Sequence, residues 1–199
     1  MRKIVAFNHV SADGYFATAD GKMDWVIQDE EIGKRAAEGM SETGTVLFGR
    51  RTYEQFASFW PHALDESSTA PDPHAPGHRS RELKAMAVWL NEATKLVFSK
   101  SLKEATWKNT RLLRELDPRK IEALKRQPGG DIIMFGSGSI ASQLTQHGLI
   151  DEYQLVVSPV LLGSGWPLLS GVSRSTKVSL LEAKTYPSGN VKLRYGRAS

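Results

Sequence analysis

Thr45-Val46-Leu47-Phe48-Gly49-Arg50-Arg51-Thr52-Tyr53 is the stretch that decides the architecture of this chain. Val46, Leu47 and Phe48 form a short apolar run suited to a strand covered on both faces. Beyond the turn, Tyr53, Phe56, Ala57 and Trp60 recur at i, i+3, i+4 and i+7, which is one face of a helix. The junction therefore places Gly49, Arg50, Arg51 and Thr52 at a helix N-terminus. Free N–H groups and the positive end of the helix dipole favour an anion there. A guanidinium adds bidentate phosphate recognition, and glycine lets the backbone approach a ligand. On this segment alone, an ordinary strand–helix junction with two solvated arginines explains the residues equally well.

Reading outward, Lys3 to Val10 is a first strand, broken by Ser11-Ala12-Asp13-Gly14. The stretch from Gly14 to Asp24, with its Asp20-Gly21 turn signal, is a loop long enough to suspect a function. A helix follows from about Asp29, with Ile32, Ala36 and Met40 on one side. Downstream of Trp60, Pro61 to Ser80 is rich in proline and histidine and almost free of apolar residues, and reads as a flexible surface insert or a lid. Leu83, Met86, Ala87 and Leu90 mark another helix, Lys95 to Ser99 a third strand, and Trp107 to Leu113 an edge strand. Asp117-Pro118 caps a helix running through Arg126. Asp131 to Phe135 is a fourth strand and Leu155 to Val157 a fifth. Between them lies a helix carrying Ile140, Ala141 and Leu144, with Gly148 at its C-terminal cap. Lys177 to Arg197 is an antiparallel hairpin about Pro187-Ser188-Gly189-Asn190. Strands alternating with helices imply a mostly parallel sheet, and ligands of such sheets bind outside the carboxyl ends of the strands.

Two further strand ends carry anion-friendly residues. Gly136-Ser137-Gly138-Ser139 follows an apolar strand and opens a helix, so backbone N–H groups can turn toward a pyrophosphate. It lacks the third glycine of the dinucleotide fingerprint, and alone it is as well explained by a structural turn. Phe98-Ser99-Lys100-Ser101 ends another strand with two hydroxyls and a cation, and alone reads as a polar exit to solvent. Three such ends on one sheet are harder to dismiss together.

Composition narrows the choices. The chain of 199 residues is long enough for one α/β domain over its whole length. A net charge of +4, dispersed along the chain, suits an anionic small ligand and not nucleic acid. The absence of cysteine excludes disulfides, thiolate metal sites and the zinc set of a deaminase. The histidines show no metal-ligand spacing, so no metal is expected; His9 reads as a strand or core residue. No window approaches a membrane span, and a soluble, cytoplasmic protein is expected.

In order along the chain, these pieces resemble the dihydrofolate reductase-like superfamily. The nearer branch is the reductase domain of the bacterial bifunctional deaminase-reductase of riboflavin biosynthesis, with its stand-alone relatives. The resemblance is carried by Ser11-x-Asp13-Gly14, Asp24-Trp25, Phe48 to Tyr53, Val97 to Lys100, Phe135 to Ser139, Leu149 to Glu152 and Pro159 to Gly163. It implies a three-layer sandwich around an eight-stranded, mostly parallel sheet with an antiparallel C-terminal hairpin, and NADPH as cofactor. It further implies that Gly49, Arg50, Arg51 and Thr52 hold phosphates on the adenosine side. Ser99 and Lys100 would lie near the 2′-phosphate, and Gly136, Ser137, Gly138, Ser139 and Ile140 would cradle the pyrophosphate. The loop from Asp13 to Trp25 would be a flap, and Gly14, Trp25, Phe135 and Ser158 would face the substrate. Two departures stand out: Ser137 replaces the second of two adjacent glycines, and Lys100 replaces a common arginine.

The expected activity is hydride transfer from NADPH to a small heterocyclic or sugar-derived C=N or C=O group. It resembles 5-amino-6-(5-phosphoribosylamino)uracil reduction or dihydrofolate reduction. Counting from Trp25, Glu30 matches the acid of dihydrofolate reductases, with Asp29 and Glu31 beside it, although acids favour a first helical turn without any catalytic role. Asp13 is the other candidate acid. A binding module that keeps the fold without catalysis is the alternative. The resemblance also suggests a homodimer, with Val178, Leu180, Val191, Leu193 and Tyr195 offering apolar edge surface.

Overall fold

The computed structural model describes residues 1–40, 42–65 and 81–198. Most of the expected insert at 61–80 therefore lies outside the described residues. The first half of the chain runs β1 (Ile4–Ser11), β2 (Tyr15–Ala17), α1 (Glu30–Met40), β3 (Thr43–Gly49), α2 (Arg50–Phe59), α3 (Arg81–Glu92), β4 (Thr94–Phe98) and β5 (Thr110–Leu113). The second half runs α4 (Pro118–Arg126), β6 (Asp131–Phe135), α5 (Gly138–Gln146), β7 (Glu152–Ser158), β8 (Trp166–Pro167), β9 (Val178–Thr185) and β10 (Val191–Arg197). A short 3₁₀ turn, Trp60–His62, prolongs α2.

Eight strands form one sheet in the order β5-β4-β3-β6-β1-β7-β10-β9. The first six are mutually parallel, and β10 is antiparallel to both β7 and β9. Helices cover both faces, which is why the central strands read as continuous apolar runs. Val46, Phe48, Ile133 and Phe135 pack with Met40, Tyr53, Leu83 and Leu90 of α1, α2 and α3. Leu47, Ile132 and Met134, with Ile4 and Ala6 of β1, pack against Ile121 of α4 and Ile140, Ala141 and Leu144 of α5. Asp29 begins α1 as its cap, its carboxylate accepting the N–H groups of Glu31 and Ile32. Asp117 caps α4 in the same way through Arg119, and Gly148, at φ +62°, closes α5.

Three details differ from the sequence reading. The edge strand is shorter than 107–113, because Trp107 turns inward and buries against Phe48 and Tyr53. The loops after β1 and β7 are not wholly irregular: β2 and β8 pair as a separate two-stranded tongue. Finally, β10 lies inside the sheet, so Val191, Leu193 and Tyr195 are not edge residues. Within the hairpin, the exposed apolar residues are on β9, where Leu180 and Leu181 are 57% and 55% exposed and Val178 joins them.

Lys95 on β4 is fully buried. Its ammonium donates to the carbonyls of Leu90 at 2.6 Å and Ala93 at 2.8 Å, closing the C-terminus of α3, and lies 4.5 Å from the centre of the Trp107 ring. Burial pushes its pKa down to about 8, from an ordinary 10.5. Between these values the unfolded chain keeps a proton that the folded chain has released, so stability rises with pH across that window. The gain is at most about 1.4 kcal/mol per pH unit. Urea denaturation at both ends of the window should show this rise in the wild type, and Lys95→Met should abolish it.

Candidate active site

The carboxyl ends of β4, β3 and β6 open into one cleft of about 520 Å³. Gly49, Arg50, Arg51 and Thr52 line it from α2, Ser137, Gly138 and Ser139 from α5, and Ser99 from the end of β4. The helices arrive from opposite faces of the sheet, so two N-termini aim their free N–H groups at the same space. A surface cleft of about 600 Å³ near the end of α3, lined by His62, Asp65, Trp107 and Lys108, has no such convergence.

The local chemistry explains the approach. Ser137 adopts the left-handed conformation, φ 59° and ψ 63°, which is strained for any residue with a Cβ. Its hydroxyl accepts the Gly49 N–H at 2.7 Å and donates to Thr52 Oγ1 at 2.9 Å. One side chain thus stitches the start of α2 to the cap of α5. Glycine at 49 suits this close approach, because a Cβ would lie 3.0 Å from the Ser137 hydroxyl and push it aside. At Gly138 a Cβ would meet Phe16 at 2.9 Å and the Leu168 carbonyl at 3.1 Å.

The two arginines differ. Arg50 pairs with Glu54 one turn along α2, whereas Arg51 stacks its guanidinium 4.4 Å from the centre of the Trp166 ring. Trp166 also lies against Gly21, where a Cβ would come within 2.9 Å of the indole. The tongue and the 14–25 loop therefore touch the phosphate-friendly arginine through one aromatic ring. Phe16 and Trp166 complete the cleft wall, and Ser101 and Ser170 add hydroxyls. Sequence reasoning missed Phe16 and Trp166, since nothing in two short strands announces their pairing.

The remaining candidates are placed as follows. Gly136, at φ +53°, sits against Thr52 just behind the cleft, and Ile140 points into the core below it. Ser99 uses its hydroxyl to accept the N–H groups of Ser101 and Leu102, and Lys100 is exposed beyond the cleft lining. Gly14 forms the turn after β1 at φ +89°. Phe135 is buried and stacks 5.4 Å from Phe56, with Phe7 edge-on to it. Ser158 is fully buried and donates to Asn190 Oδ1 at 2.8 Å, so its hydroxyl is committed. Among the described residues, Trp25 Nε1 and Tyr186 Oη are buried without a hydrogen-bond partner, and Tyr186 packs with Ile32 of α1. Burial pushes the Tyr186 phenol above its ordinary value, so at neutral pH it is a proton-bearing donor.

The acids hold different posts. The Ser11 hydroxyl bonds Asp13 at 2.6 Å, and the N–H groups of Gly163 at 2.7 Å and Leu162 at 3.1 Å add to it. That hydrogen bond from Ser11, with those from the backbone, holds the Asp13 carboxyl below the usual aspartate value. Glu31 pairs with Lys184 and Arg35. For Asp29, burial raises the carboxyl, but hydrogen bonds from Ser188 and the start of α1 outweigh it and leave the pKa lowered. Glu30 is exposed at the first position of α1. Among the described residues no cluster of metal-ligating side chains forms, and no helix is long and apolar enough to cross a membrane.

Comparison with known proteins identifies the family and the fold. Residues 2–192 match the family model of the RibD C-terminal domain. A Bacillus subtilis (strain 168) protein, the uncharacterized YyaP, is 28% identical over 98% of this chain and 94% of its own length. Among solved structures, a Shewanella sp. PV-4 protein provisionally named for riboflavin biosynthesis superposes with a TM-score of 0.71, at 20% identity and 99% coverage of both chains. Dihydrofolate reductase of Enterococcus faecalis, complexed with NADP(H), superposes with a TM-score of 0.61 at 13% identity, covering 99% of this chain and 97% of its own. The structural likenesses establish a dihydrofolate reductase-like fold.

Proposed function

This chain belongs to the RibD C-terminal domain family, and from that premise we propose that it is an NADPH-dependent reductase acting on a small heterocyclic or sugar-derived C=N or C=O group. The observation that carries this reading is the convergence of two helix N-termini and two arginines on one cleft, locked together by Ser137. The residues fit a dinucleotide. The glycines allow close approach, and the N–H groups of α2 and α5 with Arg51 can receive the phosphates. Arg50 can add a second guanidinium by leaving Glu54, because an exposed ion pair of this kind is weak. That the dihydrofolate reductase of this fold is complexed with NADP(H) supports the same cofactor. When bound, the reduced nicotinamide supplies the hydride.

The chain supplies binding, exclusion of water and a proton. Phe7, Phe56 and Phe135 form a packed aromatic group on the α1 face of the sheet, and Trp25 and Tyr186 each hold a donor without a partner among the described residues, available to substrate acceptors. The geometry of Asp13 makes it an anchor: it stays ionised and ties the turn after β1 to the 159–163 loop. Glu30 is then the carboxyl proposed to relay the proton, and Glu30→Gln should lower turnover by about a hundredfold. Unchanged turnover across pH would remove Glu30 from the mechanism. The overall test is NADPH oxidation over a panel of heterocyclic imines and carbonyl compounds. Turnover supports the reductase; stoichiometric binding without turnover on any of them supports the non-catalytic alternative.

A cytoplasmic homodimer completes the proposal. The outer edge of β9, the last strand of the sheet, with Leu180 and Leu181 exposed, is the apolar sheet edge that a second copy would cover. Light scattering should give twice the chain mass, and Leu180→Glu should return it to that of a monomer.

A further inference from the structure

Side chains of β1 alternate between the two faces of the sheet, and Ile4 and Ala6 sit in the core beneath α5. Asn8 comes next on that face. It is 2% exposed, yet among the described residues neither its amide nitrogen nor its amide oxygen has a hydrogen-bond partner. Native interiors rarely leave a carboxamide unpaired at both ends, because the lost hydration is not replaced. An aliphatic side chain of similar size would avoid the cost. The polarity of this position therefore points to a partner from outside the chain.

Its location suggests which partner. β1 pairs with β6 only as far as Phe7 opposite Phe135. At Gly136 and Ser137, both left-handed, the β6 chain swings away into α5. Asn8 thus stands just past the last pair, on the face from which Phe16 and the start of α5 line the cleft. In the sheet, the neighbours run β4, β3, β6, β1, so Ser99, Gly49, Ser137 and Asn8 follow one another across the strand ends. A dinucleotide with its phosphates on α2 and α5 and its adenosine toward Ser99 has its other end toward Asn8. That end carries one primary carboxamide, which offers a donor and an acceptor.

We infer that Asn8 reads the carboxamide of the nicotinamide, amide to amide, and so fixes the ring beside β1. This rests on the NADPH reading of the cleft. Two ligands separate the claims: NADPH, and adenosine 2′,5′-bisphosphate, which lacks the nicotinamide. Asn8→Leu should weaken NADPH about tenfold and leave the bisphosphate affinity unchanged. It should also raise the melting temperature of the ligand-free protein, since an unpaired polar group is removed from the interior. In the wild type, the 3-acetylpyridine analogue of NADPH, a methyl ketone in place of the amide, should bind about tenfold more weakly than NADPH. An Asn8→Leu protein that binds NADPH like the wild type, or loses both ligands equally, overturns the inference. If that variant does not fold, equal affinity of the wild type for NADPH and the analogue overturns it. Failure of the wild type to bind NADPH at all sinks the reading of the cleft and this inference with it.

Discussion

Ser137→Val is expected to weaken NADPH binding by about a hundredfold or more, and Ser137→Gly by about tenfold. The valine change combines two losses. It removes the acceptor of the buried Gly49 N–H, a deficit of about 1–3 kcal/mol, and it forces a β-branched residue into a left-handed site, costing of the same order again. The loop can relieve the second only by shifting α5 relative to α2, which separates the two N-termini. The glycine change loses the same hydrogen bonds but relaxes the strain at φ 59°. Ser137→Gly should therefore keep nearly wild-type stability while losing affinity. Calorimetric titration with parallel thermal melts checks the ranking. A valine variant that binds as tightly as the wild type would show that the stitch between the helices is irrelevant to the cleft.

The largest effect on stability is expected at the opposite end of the sheet. Glu152, 6% exposed at the start of β7, receives Arg194 in a fork, with Nε at 2.8 Å and Nη2 at 3.1 Å, and Gln154 at 2.7 Å. Burial raises the Glu152 carboxyl, but these hydrogen bonds outweigh it and leave the pKa below the ordinary value. Glu152→Ala strands the guanidinium with Glu182 alone and should cost about 3 kcal/mol. That is the low end of the range for a broken buried pair, because Arg194 keeps 35% exposure and some hydration. The wild-type contribution is present above the ordinary glutamate value and is lost as pH falls through the depressed one. Urea denaturation of wild type and Glu152→Ala should therefore converge on acidification. Replacing both residues should cost less than Glu152→Ala alone, since no charge is then left unpaired. A single variant as stable as the wild type would contradict this account of β7 and β10. NADPH affinity should not change, because this pair sits at the other end of the strands from the cleft.

The sequence made the parallel sheet legible for a physical reason. Strands such as Val46–Phe48 and Ile132–Phe135 are covered on both faces and leave unbroken apolar runs, while Asp117 and Gly148 mark helix ends by chemistry that does not depend on distant contacts. The β2–β8 tongue was not legible, because strands of three and two residues show no periodicity. Lys95 reads as a polar strand residue, and only its capping of α3 accounts for its complete burial. At the site, the Gly-Arg-Arg-Thr and Gly-Ser-Gly-Ser turns were visible as separate anion-friendly ends. What joins them was not: the Ser137 hydroxyl meets an N–H 88 positions away. Asn8 did leave a trace, as a polar residue on a face that otherwise reads Ile4, Ala6 and Val10.

The most direct measurement is titration of the purified protein with NADPH and with NADH, followed by nicotinamide fluorescence. Micromolar binding is expected, with NADPH clearly preferred, because Arg50 and Arg51 together offer more cationic contacts than a pyrophosphate alone would use. No binding of either dinucleotide would contradict it, and would mean that the converging strand ends only hold the fold together.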